Sequence, residues 1–337
     1  MGKRFYPPKS GSASTGSTTG GTTGANPFFC KRGDEWRDLG LEEYTTPLLK
    51  ASGQLSRIPF DQELAGEWGM LDLHETVQQA LSEVEVAYKD IDDGESVKRW
   101  LDESGRSTLL EYINWGEAEG YHERPTTSAR NIWFSLGELE RPPMLMTDFT
   151  WRVHRVVWNA VGAAAVDQFY NVSVSEGVNE ELLCGILNSR VTWLMSELRG
   201  RKAGGEGLTR SRIKVYEAKQ LPVPDPREMS EDERAAIREA LDALMDKERE
   251  LGEEVSVDRT EPERDALDRA VLATMGMENR VPELKEAVSA LVAMREREAG
   301  AETEVLVDRV RQIDDREVID LAGVSSSTES ATLSDYE

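Results

Sequence analysis

The sequence predicts an α+β fold, a mixed domain of short strands and helices followed by a helical C-terminal segment. Three observations predict it. Short apolar runs at strand spacing, Met144-Leu145-Met146, 153–158 and 169–174, crowd the middle of the chain. Amphipathic runs with N-terminal capping signals open at Asn179 and Ser230. Between these regimes stand Pro222, Pro224 and Pro226, which exclude continued regular structure.

Residues 10–24 are almost entirely Ser, Thr and Gly, the composition of a flexible tether. Packed structure begins at Pro27-Phe28-Phe29-Cys30. Trp36, Leu39, Leu41, Tyr44, Leu48 and Leu49 then follow a mixed pattern that predicts short helices and loops. A helix is expected over 75–83. A clearer one is expected over 108–120, where Leu109, Leu110, Ile113 and Trp115 lie near one face and Gly120 is a natural stop. Asn179 caps the next helix, with Glu180 and Glu181 at the positive end of its dipole. Its apolar face runs through Leu182, Leu183, Ile186, Leu187 and Leu194. Gly204-Gly205-Glu206-Gly207 breaks that pattern, and 213–216 reads as a strand. Ser230, with Glu233 at the capping-box position, opens a strong helix over 230–251. Further helices are expected over 262–275 and 282–298. The expected organisation is a flexible tail (1–22), a mixed domain (23–226), a helical segment (227–298) and an acidic disordered tail (299–337).

The 337 residues hold 40 basic and 64 acidic side chains, a formal charge of -24. Such a charge repels nucleic acid at long range unless it is segregated. It is segregated: residues 99–219 carry 15 basic and 16 acidic side chains, leaving -23 elsewhere. The middle is therefore the part compatible with a polyanion. Arginine outnumbers lysine 29 to 11 within this carboxylate excess, a balance that reads either as halophilic or as ordinary for a soluble acidic protein. Molar salt would screen the repulsion. Cys30 and Cys184 are too few for a disulfide framework, and the N-terminus shows no signal-like apolar stretch. The longest apolar-looking run, 156–166, falls far short of the about 20 residues a membrane span needs. A cytoplasmic protein with no membrane partner is expected.

Few motifs point to chemistry within the chain. Asn26-Pro27-Phe28-Phe29 is superficially like the Asn-Pro-Pro-aromatic loop that grips an extruded base, but lacks its second proline. Glu217-Ala218-Lys219 could imitate the Glu-x-Lys of a Mg²⁺-dependent nuclease, with Asp148 or Asp167 as a further ligand, or could be an exposed edge strand. His74, His122 and His154 are isolated from other metal ligands. No catalytic residue and no metal ligand set is assigned. The stronger signal is basic. Arg124, Arg130 and Trp133 combine guanidinium groups with an aromatic ring, a mixture suited to phosphates and base edges. Arg190, Arg199, Arg201, Lys202, Arg210, Arg212 and Lys214 bracket the glycine loop and form the densest basic cluster. Pairing with carboxylates is the structural alternative for each of these cations, and a place in the core is the equal alternative for Trp133.

Five pieces in order carry a resemblance: Thr23-Gly24-Ala25-Asn26-Pro27-Phe28-Phe29, Arg130-Asn131-Ile132-Trp133, Leu187-Asn188-Ser189, Gly204-Gly205-Glu206-Gly207 and Leu221-Pro222-Val223-Pro224-Asp225. With them the chain resembles, over residues 23–226, the C-terminal target-recognition region of gamma-class adenine-N6 DNA methyltransferases, including Taq-type and type IIG restriction-modification enzymes. The resemblance implies that Thr23 and Asn26 begin a DNA-reading region, that the Arg-x-x-Trp segment lies on DNA-facing strands, and that the Leu-Asn-Ser helix precedes a glycine loop. It implies double-stranded DNA as a partner, with the flipped adenine entering a separate catalytic polypeptide. The chain shows neither an Asp/Asn-Pro-Pro-aromatic loop nor a glycine-rich S-adenosylmethionine turn. No cofactor is therefore expected in this chain, and S-adenosylmethionine is expected in the catalytic partner. Two other readings stay open, a Mg²⁺ nuclease built on Glu217 and Lys219, and a non-catalytic helical interaction protein or decayed fragment.

Overall fold

The computed structural model describes residues 5–6, 9–10, 23–51, 54–83, 94–150, 153–166, 168–174, 177–203 and 210–297. The expected 299–337 tail, the glycine loop at 204–207 and Asp167 lie outside them, as does most of the 1–22 tail. Within that tail, β1 (Phe5–Tyr6) and β2 (Lys9–Ser10) are strands, which the tether reading did not anticipate.

Two hydrophobic cores organise the chain. The first starts at α1 (Asn26–Phe29), where Pro27 occupies the first turn and Phe28 and Phe29 are buried. The helix runs directly into β3 (Cys30–Arg32), followed by α2 (Gly33–Asp38). With β4 (Thr45–Leu49), β6 (Trp68–Leu71) and β10 (Ala164–Ala165), β3 builds a four-stranded sheet in the order β10-β4-β6-β3. This corrects the expectation of helices and loops alone over residues 27–49. Pro47 sits in β4 where the strand changes partners: Thr45–Pro47 face β6, and Leu48 and Leu49 face β10. The missing N–H of proline is tolerated at such a switch. Helices α4 (His74–Glu83), α5 (Glu95–Glu103) and α6 (Ser107–Ala118) share this core. Inside it Phe28 packs against Phe29, Tyr112, Tyr121 and Trp133 at centroid distances of 4.7–5.9 Å. A Cβ on Gly116 would stand 2.5 Å from Phe28 and 2.7 Å from Trp133, so glycine is what lets α6 reach these rings.

The second core lies around a five-stranded sheet of β5 (Pro59–Phe60), β7 (Met144–Thr147), β9 (Val156–Asn159), β11 (Phe169–Ser173) and β2, ordered β2-β11-β7-β9-β5. A short helix, α3 (Gln62–Ala65), follows β5. The helix expected through Leu194 is two: α7 (Glu180–Asn188) and α8 (Arg190–Arg199). Asn188 turns to the sheet, accepting the Val156 N–H at 2.9 Å and donating to the Val156 carbonyl at 2.8 Å. Ser189 is extended there and caps α8 by accepting the Thr192 N–H. The expected strand at 213–216 is not formed; the strand of this region ends at Arg212, just before it. A three-stranded sheet joins β8 (Phe149–Thr150), β12 (Arg201–Ala203) and β13 (Arg210–Arg212) in the order β12-β13-β8, and Val215–Ala218 is a turn of helix, α9. Finally β14 (Val223–Pro224) pairs with β1.

The C-terminal helices α10 (Glu231–Leu251), α11 (Glu261–Ala273) and α12 (Val281–Arg297) match the expected segment, and Ser230 and Glu233 form the capping box. Their packing crosses the expected boundary at 226, because Ile237, Leu241, Leu244, Val271 and Val288 belong to the same core as Leu183 and Ile186. Gly185 lets α10 approach α7, since a Cβ there would meet Ile237 at 2.8 Å.

One fully buried carboxylate ties these parts together. Glu248 of α10 accepts the Ile58 N–H and pairs with Arg264 of α11 at 2.7 Å. Arg264 Nε in turn donates to Thr260 at 2.9 Å. Arg155 lies half-buried nearby, and desolvation pushes its guanidinium down to about 10 although Glu248 opposes this.

Glu248→Ala leaves the Arg264 charge buried without its carboxylate and is expected to lower the unfolding free energy by about 3–5 kcal/mol, measured by urea denaturation. His154 gives a second expectation. It is buried, its Nε2–H donates to the Leu187 carbonyl at 3.0 Å, and burial pushes its pKa down from 6.5 to about 4. Above pH 6.5 the neutral ring is stable in place; as pH falls towards 4 the unfolded chain takes the proton first. Stability should therefore fall across that window by up to about 3 kcal/mol. His154→Gln should flatten that part of the pH profile of urea unfolding.

Candidate nucleic-acid interface

The basic cluster is built by one helix end and one small sheet. Helix α8 delivers Arg199 and passes through Gly200 into β12. The Gly200 N–H closes the helix on the Ser196 carbonyl at 2.8 Å. A Cβ at Gly200 would stand 2.0 Å from Ser211 Oγ, so glycine seats β13 against the helix end. The register sets Arg201 opposite Arg212, Lys202 opposite Ser211 and Ala203 opposite Arg210, while Ser211 faces Thr150 and Arg212 faces Phe149. Directly opposed residues share a face, and successive ones alternate. Arg201, Arg212 and Phe149 thus form one row, with Arg210 on the same face, and buried Ser211 and Thr150 lie on the other.

On the outer face, aromatic rings orient the guanidinium groups. The Arg212 and Arg210 guanidinium carbons lie 4.8 and 5.4 Å from the Phe149 ring centre, and that of Arg201 lies 5.7 Å from Tyr216. Arg201 also hydrogen-bonds the Tyr216 hydroxyl and pairs through Nε with Glu217 at 2.8 Å, yet its side chain stays 62% exposed. Arg212 pairs with Asp148 at 3.2 Å; burial pushes the Asp148 carboxyl up against the pull of Arg212 and Lys214. Arg199 is exposed and donates to the Gln220 carbonyl at 2.9 Å. Planar guanidiniums held at fixed angles but open to water can each offer two parallel N–H donors to a phosphate or a base edge.

Glu217 lies on α9 rather than on an edge strand. Its other oxygen accepts the Lys214 N–H at 2.8 Å. Against the desolvation of its position, that N–H and Arg201 hold the Glu217 carboxyl below the usual carboxylate range. It serves here as a brace for Arg201. Among the described residues, no group of three or more His, Cys, Asp or Glu is arranged to hold a metal ion.

A second group of expected residues gathers at the first core. Thr23 is buried, and its hydroxyl donates to Asn26 Oδ1 and accepts the Ala25 N–H. Gly24 (φ +72) lies so close to Thr126 that any Cβ would collide with it. Arg130 Nη2 donates to the Thr23 carbonyl at 3.0 Å. Asn26 and Arg124 are exposed, Arg124 lying over Tyr121 at 4.5 Å. The Arg130–Trp133 segment forms bends, not the expected strand, and Trp133 is a core residue bonded through Nε1–H to Glu117 at 3.0 Å. Arg190 is likewise placed inside: it is 5% exposed and paired with Asp265 and Asp268 at 2.8 and 2.7 Å, with no face left for a ligand. The Lys202 side chain lies outside the described residues. Phe149 and Tyr216, which orient the arginines, escaped sequence reasoning. The alternation Arg210-Ser211-Arg212 was the available signal for the shared face.

These features define an arginine-bearing small sheet on a mixed core. Over residues 9–258 the chain matches the family described as type II methyltransferase M.Eco57I, C-terminal domain, and it belongs to that family. It is similar in structure to the type IIG restriction endonuclease BpuSI, at 14% identity and a TM-score of 0.49, over 87% of this chain. The chain spans 31% of the length of that protein. No curated protein matches it. Among the described residues, no helix is long and apolar enough to cross a membrane.

Gly200→Ala should force β13 away from the helix end, lowering the unfolding free energy in urea by about 1–3 kcal/mol.

Proposed function

We propose that this chain is the DNA-recognition part of a restriction-modification methyltransferase. In this reading it holds double-stranded DNA while a catalytic polypeptide, which binds S-adenosylmethionine, methylates an extruded adenine. One observation carries the reading: Arg201, Arg210 and Arg212 share the outer face of a three-stranded sheet and are aligned there by Phe149 and Tyr216. Membership in a family of methyltransferase C-terminal domains supports it. Arg199 and Lys214 extend the basic surface beside this sheet. Asn26 and Arg124 supply a second set of exposed polar groups on the first core.

A net charge of -24 opposes duplex binding at long range, so affinity must come from this local surface. Each phosphate neutralised contributes about 0.9 to the slope of log affinity against log salt. Fluorescence anisotropy with a duplex carrying the system's target site, across a salt series, tests this. Arg201→Ala, Arg210→Ala, Arg212→Ala together should weaken binding and make the slope shallower by about 3. Equal affinity and equal slope for wild type and variant would remove the reading.

A further inference from the structure

The arginine-bearing sheet has no broad core of its own. β12 grows out of α8, β13 is wedged against the end of α8 at Gly200, and β8 closes the far side. Its orientation therefore depends on what holds α8 and β8. Both are held from the C-terminal helices by buried charges. At the start of α8, Arg190 pairs with Asp265 and Asp268 of α11, and Asp268 Oδ1 also accepts the Arg190 N–H at 2.7 Å. Near the end of α8, Glu197 receives two parallel bonds from Arg295 of α12, Nε to Oε2 and Nη2 to Oε1, each 2.9 Å. Both side chains are 4% exposed. A further nitrogen, Arg295 Nη1, reaches the Thr150 carbonyl of β8 at 3.4 Å. One guanidinium thus touches both the helix that feeds the sheet and the strand that closes it.

Residues 265, 268 and 295 all lie beyond the segment 9–258 that matches the family. We propose that α11 and α12 form a clamp that fixes the arginine sheet in its DNA-facing orientation, with Arg295 as the positioning residue. Its functional consequence rests on the recognition reading above; the clamp itself does not. A bidentate pair from which water is excluded has one geometry, unlike an exposed ion pair that samples many. It therefore transmits the position of α12 to the sheet. Asp265 and Asp268 fix the opposite end of α8 and keep it from pivoting.

Hydrogen exchange of the full chain tests the clamp without DNA. In Arg295→Met, which keeps the side-chain bulk but loses the pair, the amides of residues 201–203 and 210–212 should exchange at least about tenfold faster, while those of β7 and β11 keep their protection. Glu197→Gln is the milder variant should Arg295→Met not fold, and the same local change is expected. The reversed pair, Glu197→Arg with Arg295→Glu, should recover part of the protection. Unchanged exchange at 201–203 and 210–212 in a folded Arg295→Met or Glu197→Gln overturns the clamp. Duplex affinity, measured on the same samples, should fall about tenfold with the loosened sheet. A loosened sheet with undiminished wild-type affinity for DNA upholds the clamp and removes the sheet as the DNA-contacting surface, so the two failures are distinguishable.

Discussion

The buried carboxylate of Glu248 is the constraint on which the architecture turns. A charge with no exposure is tolerated only where donors surround it. Here two donors far apart in sequence, the Ile58 N–H and Arg264, meet it, and the positive field of Arg155 adds to them. Ile58 stands immediately before β5, whose Phe60 enters the first core while Ile58 itself enters the second. The helix α10 therefore does more than cover an apolar face. It fixes the segment at which the two cores meet, and it requires α11 to supply the counter-charge. Apolar packing alone could tolerate small slips of these helices; a hydrogen-bonded charge network tolerates fewer.

The same economy of charge shapes the basic surface. Around the small sheet, the nearby carboxylates are not scattered competitors for the arginines but braces. Asp148 and Glu217 each engage one guanidinium, and in both pairs the arginine remains partly open to water. An acidic chain can keep a local positive face this way, because acids that touch the arginines hold their angles while most remaining acids lie outside 99–219.

Much of this was legible in the sequence where one period or one cap dominated. The capping box at Ser230, the Asn179 cap and the positive-φ stop at Gly120 sit where the residues said they would. The failures share a cause, which is tertiary partners overriding local pattern. The mixed apolar pattern over 36–49 suggested short helices and loops, yet β4 forms there through its pairing with β6 and β10. The apolar run through Leu194 hid a break at Ser189, made by Asn188 bonding to β9. At the candidate site, the density of arginine was visible but its division was not. Arg190 and Arg212 look alike in sequence; only the positions of Asp268 and Phe149 send one inside and leave the other out.

The pairing order of the small sheet has one more consequence. β12 forms its edge, with no strand on its outer side among the described residues. An open edge invites another chain to add to it, which is a route to aggregation. The exposed guanidinium of Arg201 on that short strand is a charge of the kind that opposes such pairing between copies. On the recognition reading proposed above, a duplex laid across this face would cancel that charge and cover the edge in the same act.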